Sequence, residues 1–157
     1  MALVRVLVDG FSLLHAWPEL APGRARHSSL ARDELIKVLA HYSDASGVPI
    51  TIVFDGGRAP AGAPKPPAPR NVEVLYTRAG QTADGVIERV THLLRPYGEV
   101  LVVSNDNAER DLVLGLGGLA SSCENFVRAI ESELGEQQHL LKAHNLRERS
   151  RFRRGAS

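Results

Sequence analysis

The chain has 157 residues and a mass of 17.0 kDa, with 43% hydrophobic and 24% charged residues, which excludes a largely disordered chain and supplies one core. No run approaches the ~18 uninterrupted apolar residues of a membrane span, and the single cysteine, Cys123, excludes an internal disulfide framework or a multi-cysteine zinc site. The net charge of +1 divides unevenly: residues 142–157 carry six basic side chains against Glu148 and stand at +5, while the other 141 residues stand at −4.

The opening, MALVRVLVDG, meets a charge and a turn too early for a signal peptide, so a soluble cytoplasmic protein is expected. Residues 3–8, LVRVLV, predict a first strand that stops at Asp9-Gly10. Residues 30–45 place Leu30, Leu35, Val38, Leu39 and Tyr42 on one helical face, and Gly47 stops the helix. The run ITIVF at 50–54 predicts a second strand ending at Asp55-Gly56. The next stretch, 59–69, holds five of the nine prolines and predicts a loop on the rim beside Asp55, serving either as a tolerated insertion or as a grip on substrate.

A weaker strand, VEVLY, spans 72–76. Residues 83–95 form a helix striped by Val86, Val90, Leu93 and Leu94, with Thr82 as N-cap and Pro96 beyond its end. The strand VLVV at 100–103 stops at Ser104-Asn105-Asp106. A short helix over 107–116, a fifth strand around 117–121 and a longer polar helix over 124–146 complete the chain. Short, nearly unalternated apolar runs between helices predict an α/β domain with a mainly parallel sheet over 1–142, followed by a basic tail at 143–157. That tail suits a phosphate-bearing partner, or is a solvated end.

The acids fall in a telling pattern. Asp9, Asp55 and Asp106 each end a predicted parallel strand, the edge where doubly wound sheets bind ligands. If the first and fourth strands flank the reversal of strand order, Asp9 and Asp106 converge there. Asp84, in the first helical turn after Thr82, can face the same crevice, and Glu88 shares its helix face one turn on. Gathered carboxylates repel unless a cation binds or protons are shared. All-oxygen donors without a His or Cys cage suit Mg²⁺ or Mn²⁺, which can activate water against a phosphodiester.

Each acid also has a structural reading: Asp-Gly dipeptides make turns, Asp84 favours a helix N-terminus, and Asp106 can cap the next helix. Glu109 and Asp111 read either as support behind Asp106 or as plain surface acids. The six histidines show no metal-ligand spacing, and no phosphate-binding G-x-x-x-x-G-K-[ST] occurs. Cys123 reads as a small buried apolar residue, and Trp17 as an anchor for the loop after the first strand.

Several segments together resemble a known family. Val8-Asp9-Gly10-Phe11-Ser12-Leu13-Leu14 with Ala16-Trp17-Pro18-Glu19-Leu20, Ala31-Arg32-Asp33-Glu34-Leu35, and Val53-Phe54-Asp55 are similar to segments of YacP-like NYN-domain proteins, bacterial relatives of PIN-domain nucleases. Thr82-Ala83-Asp84 with Ile87-Glu88-Arg89, and Val102-Val103-Ser104-Asn105-Asp106 with Ala108-Glu109-Arg110, extend the resemblance across roughly residues 3–142. It implies a PIN-like three-layer α/β/α sandwich and a metal-dependent endoribonuclease using Mg²⁺ or Mn²⁺. Asp9, Asp84 and Asp106 would be the catalytic, metal-binding acids, with Asp55 and Glu88 in support.

Some members of the family are associated with ribosomes and messenger RNA, which makes RNA the expected partner and a ribosome-bound substrate an option. The chain departs from the family at Ser12, usually asparagine, at Gly56-Gly57, often Ala-His, and at Ser104-Asn105-Asp106, usually Thr-Ser-Asp. Arg58, Lys65 and Arg70 with Arg147, Arg149, Arg151, Arg153 and Arg154 are the expected contacts to the RNA backbone. The rival expectation is a non-catalytic RNA- or ribosome-binding module in which the acids are structural and the tail carries the affinity.

Overall fold

The computed structural model describes residues 3–23, 25, 28–56 and 71–135. Five strands, β1 (Leu3–Asp9), β2 (Ile50–Phe54), β3 (Val72–Tyr76), β4 (Glu99–Val103) and β5 (Leu119–Ser121), form one sheet. Every pairing is parallel, in the order β3-β2-β1-β4-β5. Five helices connect and follow them: α1 (Gly10–Ala16), α2 (Ser29–Ser46), α3 (Ala83–Leu94), α4 (Asn107–Gly115) and α5 over 123–135.

Alternation along each strand divides the core into two layers. Val6 and Val8 of β1, with Ile50, Ile52 and Phe54 of β2, face Leu13 and Leu14 of α1, Leu35 and Leu39 of α2, and Phe126 and Ile130 of α5. Leu7, Val53, Val100 and Val102 point the other way, onto Val86 and Ile87 of α3 and Val113 of α4. Helices therefore cover both sheet faces, which is why β1, β2 and β4 read as nearly unbroken apolar runs. Each fully buried aliphatic side chain contributes roughly 1.5–3 kcal/mol. The expected three-layer α/β/α architecture is present.

The helix ends follow from local chemistry. Ser28 caps α2 by accepting from the Ala31 N–H, and the helix stops at Gly47, whose φ of 76° is the left-handed conformation that glycine adopts without a Cβ penalty. Thr82 caps α3 as its sequence predicts. One helix, α1, has no counterpart among the predicted elements. Seven residues carry too little periodicity to register, and its start is set instead by the Asp9 side chain accepting from the Ser12 N–H. The helix expected over 124–146 begins at residue 123 and is described as far as 135.

The topology decides where a ligand can sit. From β1 the chain builds β2 and β3 to one side, then returns to place β4 and β5 on the other. Strand order thus reverses between β1 and β4, and the crevice opens beyond their carboxyl ends.

Candidate metal centre at the reversal between β1 and β4

Asp9 is the last residue of β1 and the N-cap of α1. Its Oδ1 accepts from the Ser12 backbone N–H at 3.4 Å. Ser12 therefore orients the acid. Burial raises the Asp9 pKa above 3.8; hydrogen bonding from Ser12 opposes that shift, and the charges of Asp84 and Asp106 add to it.

Asp84 is exposed in the first turn of α3, behind the cap in which Thr82 Oγ1 accepts from Gly85 N–H at 3.1 Å. Glu109 enters from the first turn of α4 and is only 4% exposed. The fully buried Ser104 hydroxyl donates to Glu109 Oε2 at 2.7 Å and accepts from the Asp106 N–H at 3.1 Å. Glu109 Oε1 is buried without a hydrogen-bond partner. Desolvation pushes the Glu109 carboxyl from 4.5 up to about 8; the Ser104 bond opposes this, while Asp84 and then Asp9 reinforce it.

One carboxylate oxygen from each of Asp9, Asp84 and Glu109 lies within 4.8 Å of the others. The expected trio of aspartates is therefore brought together in altered form. Asp106 caps α4, its Oδ1 accepting from Ala108 N–H at 2.9 Å and Glu109 N–H at 3.3 Å. It stands on the exposed rim, near enough to raise the Asp9 pKa, while Glu109 occupies the interior position.

Asp55 lies outside this group. Its Oδ1 accepts from the Thr77 hydroxyl at 3.3 Å, and the same hydroxyl accepts from Gly56 N–H at 2.9 Å, tying the exits of β2 and β3 together. Glu88 and Asp111 are exposed on α3 and α4, outside the three-acid group. Cys123 is buried, its thiol pushed up to about 12 by burial, and Trp17 is buried in the core. His15, His41 and His92 are exposed and take no part in the acid group. Arg58, Lys65 and Arg70, the loop at 59–69, and Arg147, Arg149, Arg151, Arg153 and Arg154 lie outside the described residues.

Sequence reasoning left the interior role of Glu109 unassigned. The signal was present in Asp106-x-x-Glu109, a helix-start pattern whose acid at the third helical position often turns back to the cap. Here Ser104 supplies the bond to the Asp106 N–H, which leaves Glu109 to turn inward.

A bound cation fits this donor set: three carboxylates converge, one oxygen is buried and unpartnered, and no His or Cys belongs to the group among the described residues. No described helix is long and apolar enough to cross a membrane.

Comparison with known proteins agrees with the fold. YacP of Bacillus subtilis (strain 168) is 32% identical over 128 residues, 81% of this chain and 75% of that protein. The crystal structure of Rae1 (YacP) from Bacillus subtilis matches with a TM-score of 0.77 at 27% identity, covering 96% of this chain and 85% of that one. Its W164L mutant matches at 0.78 and 27% identity, covering 91% and 84%. The model of the YacP-like NYN domain matches residues 6–155, and the chain belongs to that family.

Proposed function

We propose that this protein is a metal-dependent endoribonuclease that hydrolyses RNA phosphodiester bonds. The observation that carries this reading is the buried, unpartnered Glu109 oxygen gathered with Asp9 and Asp84 within 4.8 Å. Gathered carboxylates repel; protonation of Glu109 relieves that in the empty pocket, and a divalent cation would relieve it with all three acids ionised. Oxygen-only donors favour Mg²⁺ or Mn²⁺.

Asp9, Asp84 and Glu109 would hold the cation, with Asp106 completing the acidic rim. When bound, it supplies charge neutralisation at the phosphate and acidifies water for in-line attack. Ser12 keeps the Asp9 carboxylate turned toward the pocket, and Ser104 does the same for Glu109. Arg58, Lys65, Arg70 and the basic residues from 147 onward would hold the RNA backbone through salt-sensitive contacts. Ribosome-associated messenger RNA is the substrate class we favour, on the family's association with it.

The test is cleavage of a labelled single-stranded RNA by wild type, Asp9→Asn and Asp84→Asn, with Mn²⁺ and with chelator. Wild type should cut only with metal, and both variants should fall by at least about a hundredfold, the scale of losing a charge-stabilising group. Equal cleavage by all three refutes the assignment. No cleavage by any, together with RNA binding lost on deletion of 147–157, moves the protein to a non-catalytic binding module.

A further inference from the structure

The turn 104–106 supplies Ser104 to Glu109 and Asp106 to the start of α4, yet it lies beyond the end of β4, where no strand ladder holds its second half. Its backbone is tied to the sheet through Ser104 N–H, which donates to the Ser121 carbonyl at 3.1 Å. Asn105, between the two, bonds to the start of α5. Its Oδ1 accepts from the Cys123 backbone N–H at 2.8 Å, and its Nδ2 donates to Glu124 Oε1 at 2.9 Å.

A single planar amide thus joins the turn to the first two residues of α5. The backbone N–H can only donate and the ionised carboxylate can only accept, so the orientation of the carboxamide is fixed by its partners. Asparagine meets both demands. Serine is too short to span both groups, and alanine offers neither. The Cys123 N–H is a helix-start donor that α5 does not satisfy internally, so the bond serves both ends of the contact. Ser122 Oγ separately accepts from Asn125 N–H at 3.2 Å, so α5 retains a cap of its own without Asn105.

We propose that Asn105 is a positioning residue for the acidic pocket: by clamping the 104–106 turn to the start of α5, its carboxamide holds Ser104 and Asp106 where they set Glu109. The proposal rests on the metal-binding reading above, and its test separates the two. Asn105→Ala removes both bonds, whereas Asn105→Asp keeps an acceptor for the Cys123 N–H. Two readouts are needed, Mn²⁺ affinity by calorimetry and hydrogen exchange at individual amides in the metal-free full chain.

The Ala variant should bind Mn²⁺ about tenfold more weakly, the scale of one lost hydrogen bond at a polar junction. Exchange should quicken at the Asp106-capped amides of Ala108 and Glu109 but not in β1. The Asp variant should recover only part of the exchange protection, because its carboxylate still accepts from the Cys123 N–H but meets Glu124 as a like charge. Unchanged affinity and exchange in the Ala variant would overturn the proposal. Exchange quickened uniformly through β1 and β4 would overturn it too, because Asn105 would then serve only general stability. If wild type itself takes up no Mn²⁺ but the local exchange pattern appears, the clamp is supported and the metal reading is refuted.

Discussion

Replacing Glu109 by glutamine should stabilise the metal-free protein while destroying its capacity to bind metal. The side chain is 4% exposed, with one oxygen unpartnered, so the neutral amide removes a buried charge and can still accept from the Ser104 hydroxyl. In the folded protein the Glu109 carboxyl ionises only near pH 8, against 4.5 for the ordinary group, so between those values the unfolded chain binds fewer protons. Stability from this group is therefore fully present below pH 4.5 and is lost as the pH rises through 8. From pH 5 to pH 9 the linkage amounts to about 4 kcal/mol, at 1.36 kcal/mol per pKa unit. Urea unfolding of wild type and Glu109→Gln in chelator, at pH 5, 7 and 9, measures it directly. Wild type should lose roughly 2–3 kcal/mol relative to the variant between pH 5 and 7 and a further ~1 kcal/mol by pH 9. The raised Asp9 pKa adds in the same direction, but it is present in both proteins and largely cancels from the difference. Parallel stability curves would mean that Glu109 ionises freely, and the argument from desolvation would fail.

Metal binding should show the complementary sign. At pH 7 calorimetry in buffers of different ionisation enthalpy should find about one proton released per Mn²⁺ bound by wild type, since the ligand must ionise first, and close to none at pH 9. Asp106→Ala should cost about 1 kcal/mol through the lost α4 cap, measured by urea unfolding, whereas Asp106→Ser should restore most of that stability and still lower cleavage by removing a rim carboxylate. Gly56→Ala should be destabilising by about 1–3 kcal/mol, because a Cβ there would sit 2.0 Å from the Thr77 carbonyl oxygen; equal thermal midpoints would refute that close approach. Deleting 147–157 removes five arginines and should flatten the dependence of log affinity for single-stranded RNA on log salt by up to about 3.5.

Much of the architecture was legible because it rests on period and punctuation. The strands at 50–54 and 72–76 match in full, since five-residue apolar or β-branched runs bounded by turn residues leave little latitude. The grouping of Asp9 and Asp84 was legible because a strand end and a helix start are positions, and positions can be read from pattern. The depth of Glu109 was not legible. It depends on which donor reaches the Asp106 N–H, and Ser104 takes that role from a position two residues before the cap. Nor was α1 legible, since its seven residues depend on a single side-chain cap and on packing against α2. Gly10 follows Asp9 with Phe54 ring atoms 2.4 Å from where its Cβ would lie, a contact between β1 and β2 exits that only the folded sheet reveals.

The four acids at this edge share one further property, which explains how the fold tolerates them before any cation arrives. Asp9 is the N-cap of α1 and Asp106 the N-cap of α4, while Asp84 and Glu109 lie in the first turns of α3 and α4. Three helices thus present N-terminal N–H groups and the positive ends of their dipoles to the same rim, each end worth roughly 0.3–1 kcal/mol to a nearby carboxylate. Asp9 and Asp106 use this directly, accepting from Ser12 N–H and from Ala108 and Glu109 N–H. Glu109 does not, because its side chain turns inward to Ser104, and it is the acid whose carboxyl is driven up to about 8. The division is physical: Asp9 and Asp106 accept from helix-end N–H groups, whereas Glu109 is withdrawn from them into the interior and is the carboxyl that burial pushes up to about 8.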